Sequence, residues 1–574
     1  MKRCPQCNRV ETDDTLQFCR VDGASLVDVR SVTSEELGTI RLGSTPVSSE
    51  LKTTILPSPV TSGTLTTPTT ETPVAPVNKV NTSELKQPKK RKVFFLVGLL
   101  IVVVAISIGA YLLLSKKKQT PIQSIAVMPF INESGNADVD YLSDGMTDTL
   151  ISTLSQLTNL SVKARSSVFR YKGKDTNAQT IGKELNVQAI LNGRFAQRGD
   201  QLALTLELVD AQTENVIWSE QYNRPQAELV KLQTDIARDV SSKLRTKLSG
   251  VDTQKLAKIY TTNPEAFRLY LQGRFYWNKR EEQDVKTAID CFEKAIGLDP
   301  NYALAYTGLA DSYAILASFS FAPPTEAIPK ARGYALKALS LDNTLSEPHT
   351  TLGLATFQFD YDFVGAESEY KRAIELNPNY ATAHQWYGEL LGALGRFDEA
   401  QTELRKALDL EPLSLPVNWD YGRLLYIERK FDESSAQFKK ALDLDPGFAR
   451  TRRSLAEVYR AKKDYANAIE EMARYYEGRG QPDNAALVRQ SFANGGWTAY
   501  LQLVVADDSP LKERNWPKAK AYLELGDLDK AFAQLDEGYN THESTLIWLK
   551  VEPQFDPLRS DERYQELVRR LRFP

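Results

Sequence analysis

At 574 residues the chain is several times the usual size of one hydrophobic core, so it must divide into two or more folded units. A formal net charge of −3, from 71 basic and 74 acidic residues, excludes a global field that would draw in nucleic acid or an anionic surface, and any charge-driven partner must be met locally. Four cysteines, three of them within the first 19 residues, are too few and too clustered for a disulfide scaffold and suit metal binding in a reducing compartment.

Residues 1–30 carry Cys4-Pro-Gln-Cys7 and, eleven residues on, Phe18-Cys19-Arg-Val-Asp22-Gly23. This pair of knuckles resembles zinc-ribbon-like domains. Tetrahedral zinc takes four ligands, and the candidates are Cys4, Cys7, Cys19 and Asp22. Asp22 is a harder ligand than the three thiolates, so it either completes the site or leaves a labile fourth position, and a degraded site without metal is the alternative. A unit of about 30 residues has no core of its own without zinc. Its role is structural rather than catalytic, since the first histidine is His349. Lys2, Arg3, Arg9, Arg20 and Arg30 are cancelled by Glu11, Asp13, Asp14, Asp22 and Asp28, which leaves no basic footprint for nucleic acid.

Residues 31–92 form a linker with a basic end. Of the 58 positions from 31 to 88, 28 are Ser, Thr or Pro and none is aromatic, a composition that cannot bury enough apolar surface to offset ordering entropy. Val93 to Leu114 follow as 22 uncharged residues, long enough at about 1.5 Å per residue to cross the roughly 30 Å core of a bilayer. Lys86, Lys89, Lys90, Arg91 and Lys92 before it outnumber Lys116, Lys117 and Lys118 after it, which predicts a single-pass inner-membrane protein with a cytoplasmic N-terminus and extracytoplasmic C-terminal domains.

Residues 122–248 read as a mixed α/β unit. Ser124 to Phe130 is a short buried-strand pattern, and Leu142, Met146, Leu150, Leu154 and Leu157 mark a helix whose start Ser143 and Asp144 would cap. A strand at Leu160–Ala164 and a helix at Gln179–Leu185 precede three strands, Ala189–Gln197, Leu202–Val209 and Val216–Tyr222. A closing helix runs from about Gln226 to Leu248. From about Glu265 strand signals almost vanish, and Leu-Asn-Pro378, Leu-Glu-Pro412 and Leu-Asp-Pro446 recur at an interval of 34. Within one unit Tyr387, Gly388 and Leu391 fall on a first helix and Ala400, Leu404 and Ala407 on a second, small residues allowing close approach and proline ending the second helix. Cys291 lies on an apolar face and reads as a buried small hydrophobe.

On these residues, 265–546 resembles the tetratricopeptide repeat family, with 547–574 as a capping segment. Ser124-Ile-Ala-Val-Met-Pro-Phe130, Tyr141-Leu-Ser-Asp-Gly145, Ile190-Leu-Asn-Gly193 and Trp218-Ser-Glu-Gln-Tyr222 make 122–248 similar to the TolB N-terminal-like domain, related in pattern to the FlgO domain. In bacterial proteins that domain commonly follows a kinase, cyclase or DNA-binding module, and none is visible here. The expected fold class is thus multidomain: an α-helical tetratricopeptide solenoid, a mixed α/β domain, one transmembrane helix and a small zinc-ribbon-like unit.

Arg450, Arg453, Glu457 and Arg460 share one face of a repeat helix, and the preceding unit presents Trp419, Arg423 and Tyr426 in the same way. In the tetratricopeptide family such positions line the concave groove, so the resemblance implies a surface for an acidic or carboxylate-ended peptide of a protein partner. A merely solvated charged face is the alternative. The sequence contains no phosphate-binding loop of the G-x-x-x-x-G-K-[ST] type, no G-x-S-x-G elbow and no H-E-x-x-H, so an enzyme is not expected. The expectation is a membrane-anchored interaction scaffold or sensor, with a signal-transducing regulator that uses the N-terminal unit as its output as the alternative.

Overall fold

The computed structural model describes residues 2–3, 10–11, 27–28, 121–136, 139–244, 249–319 and 321–574. They fall into two units, one on either side of residue 110. In the first, strands β1 (Lys2–Arg3), β2 (Val10–Glu11) and β3 (Val27–Asp28) form an antiparallel sheet in the order β2-β1-β3. Cys4, Cys7, Cys19 and Asp22 lie outside the described residues, as do the linker and the 93–114 stretch. Among the described residues no helix is long and apolar enough to cross a membrane.

The second unit opens with a mixed sheet. Its strands are β4 (Ser124–Val127), β5 (Ile131–Asn132), β6 (Ser161–Val162), β7 (Ala189–Arg198), β8 (Gln201–Asp210) and β9 (Val216–Pro225). The order is β6-β4-β7-β8-β9, with β5 added beside β7. The β4 pairings are parallel and the β7-β8-β9 meander is antiparallel. On β8, Leu202, Leu204, Leu206 and Leu208 are all buried while the residues between them face outward, the period of two that a half-buried strand requires. Gly193 on β7 admits Phe130, because a Cβ there would stand 2.2 Å from the Phe130 ring. Helices α1 (Asp140–Ser155), α2 (Arg165–Val168), α3 (Ala178–Leu185) and α4 (Leu229–Lys243) complete the domain, and Leu142, Met146, Leu150 and Leu154 of α1 join Leu232, Ile236 and Val240 of α4 in its core.

Two expectations for this domain shift. Ser143 and Asp144 are not caps: α1 already begins at Asp140, and Asp144 is buried inside the helix with Lys172 Nζ 2.6 Å from its carboxylate. The closing helix is also shorter than expected, since a 3-10 turn at Gln226–Glu228 comes before α4.

After α5 (Gly250–Leu256) the chain is helical. Antiparallel pairs follow: α6 (Pro264–Trp277) with α7 (Glu282–Leu298), α8 (Ala303–Ser318) with α9 (Pro324–Leu341), and α10 (Glu347–Gln358) with α11 (Phe363–Leu376). Next come α12 (Ala381–Ala393) with α13 (Phe397–Leu410), α14 (Leu415–Ile427) with α15 (Phe431–Leu444), and α16 (Ala449–Ala461) with α17 (Tyr465–Gly478). This is a helical tetratricopeptide solenoid. Its second helices α11, α13 and α15 stop two residues before Pro378, Pro412 and Pro446, as the missing N–H and ring sterics of proline dictate. The pairs interlock through small residues: a Cβ on Gly388 would lie 2.6 Å from Leu404, and one on Gly422 2.6 Å from Phe438. Cys291 is buried on α7, as its apolar face requires.

Beyond the regular repeats, α18 (Pro482–Val505) is kinked where Gly495 and Gly496 leave helical geometry, with Gly496 at φ +66°. Then α19 (Asn515–Leu525) pairs with α20 (Leu528–Asn540), 3-10 turns span Ser544–Trp548 and Pro553–Leu558, and α21 (Glu562–Arg570) ends the chain. This last stretch does not simply extend the stack. Trp516, Phe532, Leu546, Trp548 and Phe555 share one core with Leu390, Trp419, Tyr426 and Leu455 from the first helices of earlier repeats.

Candidate functional site on the first-helix face of the repeats

The α-helical period puts Trp419, Arg423 and Tyr426 on one side of α14 and Arg450, Arg453, Glu457 and Arg460 on one side of α16, and the structure brings the two sets together. Trp419 is buried, donates its indole N–H to Ser454 Oγ at 2.7 Å, and lies under the Arg450 guanidinium at 4.2 Å. The remaining five meet the chain's own C-terminal segment. Arg453 Nη2 donates to Glu513 Oε2 at 2.7 Å, and the Tyr476 hydroxyl donates to the other oxygen of Glu513, also at 2.7 Å. Arg460 Nε donates to Glu524 Oε1 at 2.8 Å, with the Trp497 indole N–H on Oε2 at 2.6 Å.

Glu552 enters deepest. The Tyr426 hydroxyl donates to its Oε1 at 2.7 Å, Lys520 Nζ stands 3.3 Å from the same oxygen, and the Arg423 guanidinium makes an ionic contact of 3.5 Å with Oε2 while lying over Trp548. Lys520 also reaches Glu457 at 3.2 Å. The acidic groups that the arginine spacing asks for are therefore supplied from within the molecule, by Glu513, Glu524 and Glu552.

The electrostatics follow from this crowding. Burial pushes the Glu457 carboxyl up, but Lys520, Arg460 and Arg453 outweigh it and hold the group down at about 2. Burial also opposes the charge of Arg453, and Glu513 overcomes it, so the guanidinium is held above its ordinary value. Next to these, burial raises the Asp420 and Glu389 carboxyls, with Arg450 and Arg423 pulling the other way.

The depressed Glu457 group carries an acid-stability prediction. A carboxyl ionised more readily in the folded state than at its ordinary 4.5 contributes stability that is complete above about pH 4.5 and lost as pH falls toward 2. Because its side chain is 21% exposed, the contribution is discounted to about 2 kcal/mol. Thermal melting of Glu457→Gln should fall below the native chain at pH 6, with the gap closing as both are taken toward pH 2. A gap that stays constant across that range would contradict the assignment.

A second contact set, not foreseen from the sequence, docks the α/β domain and the following helix α5 onto the turns that end the second helices. Asn379 Nδ2 lies 3.1, 3.1 and 3.0 Å from the carbonyl oxygens of Ser155, Leu157 and Leu160. Lys255 Nζ donates to Leu376 O at 2.9 Å, Ser166 Oγ to Glu411 Oε2 at 3.0 Å and Arg170 Nη2 to Leu444 O at 3.2 Å, and Lys163 Nζ contacts Asp409 O. On α6, Arg274 donates to Asp148 at 3.0 Å, and burial raises the neighbouring Asp311 carboxyl to about 6 against the pull of Arg274. Nothing in the periodic pattern marks Asn379 as different from Asn301, which occupies the same place after Pro300 and whose backbone N–H bonds to Asp299 within its own turn. Among the described residues no cluster of three or more His, Cys, Asp or Glu side chains could hold a metal ion.

Family models match the chain in the same two regions. The family described as HilA/YgeH-like transcriptional regulator, second domain, matches residues 121–239, a different description from the TolB-like resemblance for the same segment. Tetratricopeptide repeat families match residues 269–302, 360–417 and 420–485. A Rhizobium meliloti (strain 1021) protein named "Putative adenylate cyclase 3" is 30% identical over 241 residues, covering 40% of each chain. Transcriptional regulator HilA of Salmonella typhimurium is 24% identical over 149 residues, 26% of each chain. The match thus spans about two fifths of the first relative and about a quarter of the second. Among solved structures, a thermophilic tetratricopeptide repeat protein of Thermus thermophilus aligns at 21% identity over 34% of this chain and 98% of its own, with a TM-score of 0.29.

Proposed function

We propose that the chain is a non-catalytic, membrane-anchored scaffold whose repeats hold a protein partner through an acidic segment laid across the arginine face of α14 and α16. The reading rests on one observation: Arg423, Arg453 and Arg460 each already hold a carboxylate, from Glu552, Glu513 and Glu524. A partner offering a similar set of carboxylates would compete with the C-terminal segment for the same donors. In this reading 93–114 is the anchor, the N-terminal unit is cytoplasmic and holds structural zinc, and no nucleic acid is bound.

The acidic side of these pairs provides the test, since removing the arginines would disturb the fold and the site together. In crosslinking pull-downs with the full chain, Glu513→Gln with Glu524→Gln should free Arg453 and Arg460 and increase partner capture severalfold, and adding Arg453→Ala with Arg460→Ala should abolish the gain. Capture that is equal in the native chain and the glutamine variant means that the face serves the fold alone.

A second reading, a signal-transducing regulator, is favoured by a separate observation. The segment similar to the second domain of HilA/YgeH-like regulators is docked on the repeat turns, so a partner on the repeats would be coupled to it mechanically. Under that reading, deleting residues 1–30 abolishes the phenotype, whereas under the scaffold reading the complexes survive the deletion.

A further inference from the structure

The mixed sheet has two edges, and the repeats close one of them. At the β6 edge the Ala164 N–H donates to Leu410 O at 3.4 Å, and Asn379 Nδ2 reaches Leu160 O at 3.0 Å. The other edge is β9, ten residues long against two in β6, and among the described residues no further strand lies beside it. Ser219, Glu220, Gln221 and Asn223 on this strand are exposed, and Val216 and Ile217 at its head are 54% and 37% exposed.

The hairpin register fixes which backbone groups of β9 point outward. Arg198 pairs with Gln201 across a two-residue turn, so odd-numbered residues of β8 bond to β7 and even-numbered ones to β9. Leu202, Leu204, Leu206 and Leu208 therefore bond with Arg224, Tyr222, Glu220 and Trp218, and the Gln226 N–H continues the series onto Asp200 O at 2.8 Å. Between them, Ser219, Gln221 and Asn223 turn their N–H and C=O groups away from the sheet. An open edge of this kind is ordinarily blunted by lysine, proline or a bulge, and from Trp218 to Arg224 β9 has none of the three. What it has is charge on its α4 side, where Tyr222 is buried and donates to Asp239 at 2.8 Å. Glu220 makes no ion pair among the described residues. Arg224 has an exposed contact of 3.7 Å with Glu228, and its Nη1 lies 3.0 Å from the neighbouring Asn223 O.

We propose that β9 pairs with β9 of a second copy of this chain, antiparallel about a two-fold axis at Tyr222, so that the two sheets become one. In this register Gln221 exchanges N–H···O bonds with Asn223 of the second copy, and Asn223 with its Gln221, which fills the outward-facing groups. Glu220 falls directly opposite Arg224 of the second copy, and the pair occurs twice by symmetry. The charge that would repel an unrelated strand thus selects this one. An axis at Glu220 instead would set the two glutamates against each other. The exposed Val216 and Ile217 come to lie toward the Pro225 end of the second strand. Each sheet has one open edge, so the assembly closes at two copies. The pairing stands independently of the arginine-face reading, and neither result below bears on that reading.

Sedimentation equilibrium of the full chain in a mild detergent, over a range of protein concentrations, tests the assignment and should show a reversible dimer. Glu220→Arg should raise its dissociation constant at least about tenfold, since two like-charged pairs replace two opposite ones. Glu220→Arg combined with Arg224→Glu exchanges the charges and should restore the constant to within about threefold of the native chain. Both variants should fold, since Glu220 is exposed and Arg224 half-buried at the rim of the sheet, and circular dichroism checks that they do. A monomer at every concentration, a dimer that Glu220→Arg leaves intact, or a loss that the charge exchange does not repair overturns the proposal.

Discussion

Glu552→Ala is expected to destabilise the helical unit by about 3–5 kcal/mol, one of the two largest single-residue effects anticipated for this protein. Glu552 is 0% exposed and Lys520, its ionic partner, 2% exposed, so neither charge has water to fall back on. Truncation leaves the Lys520 ammonium with Glu457 alone, strands the Tyr426 hydroxyl and removes the counter-charge of Arg423. Breaking a buried pair from one side costs far more than the pair itself is worth, because an uncompensated charge remains in low dielectric. Glu552→Gln keeps the shape and the acceptor for Tyr426 but not the charge, and should cost about half as much. Lys520→Met combined with Glu552→Gln removes both charges and should recover much of the loss, a coupling that a double-mutant cycle in urea unfolding reads directly. A loss below about 1 kcal/mol for Glu552→Ala would mean that the C-terminal segment is not held on the arginine face.

How much of this was legible beforehand depends on the range of the interaction involved. The helices of the repeats could be read from the interval of 34 and the prolines after α11, α13 and α15, because a helix end is a local event. The meander was legible for the same reason, through the alternating leucines of β8. Trp419, Arg423 and Tyr426 could be recognised as one face of α14, and Arg450, Arg453, Glu457 and Arg460 as one face of α16, since a helix places residues three and four apart side by side. What lies opposite that face could not be recognised. Glu513, Glu524 and Glu552 lie 60 or more residues beyond their arginines, scattered over one helix, one loop and one turn with no common period. The chain ceases to stack regularly where α18 kinks at Gly495-Gly496, and it is from beyond that kink that these three glutamates are delivered. Asp144 shows the same limit at smaller scale: an acidic residue near a helix start reads as a cap, and only the position of Lys172 reveals a buried ion pair.

Asn379→Asp is expected to undock the α/β domain from the repeats. A side-chain amide has two N–H groups, and Asn379 presents them to three carbonyl oxygens, so at least one is shared. Ser155 closes α1, and its carbonyl is one of the orphan acceptors every helix leaves at its C-terminus, so Asn379 caps a helix in the neighbouring domain from a repeat turn. Aspartate has nearly the same volume, but its carboxylate would face those carbonyls with no proton to give. Lost hydrogen bonds, buried acceptors without partners and charge repulsion together should cost about 3–4 kcal/mol, against about 2 kcal/mol for Asn379→Ala, which loses the donors without adding a charge. The loss falls at the junction, so calorimetry should resolve two transitions where the native chain gives one, and amide exchange should accelerate along 157–160 and the end of α1 before it does in α14. If Asn379→Asp melts in a single transition within about 0.5 kcal/mol of the native chain, the repeats and the α/β domain are not coupled through this turn, and the regulator reading loses the mechanical link on which it depends.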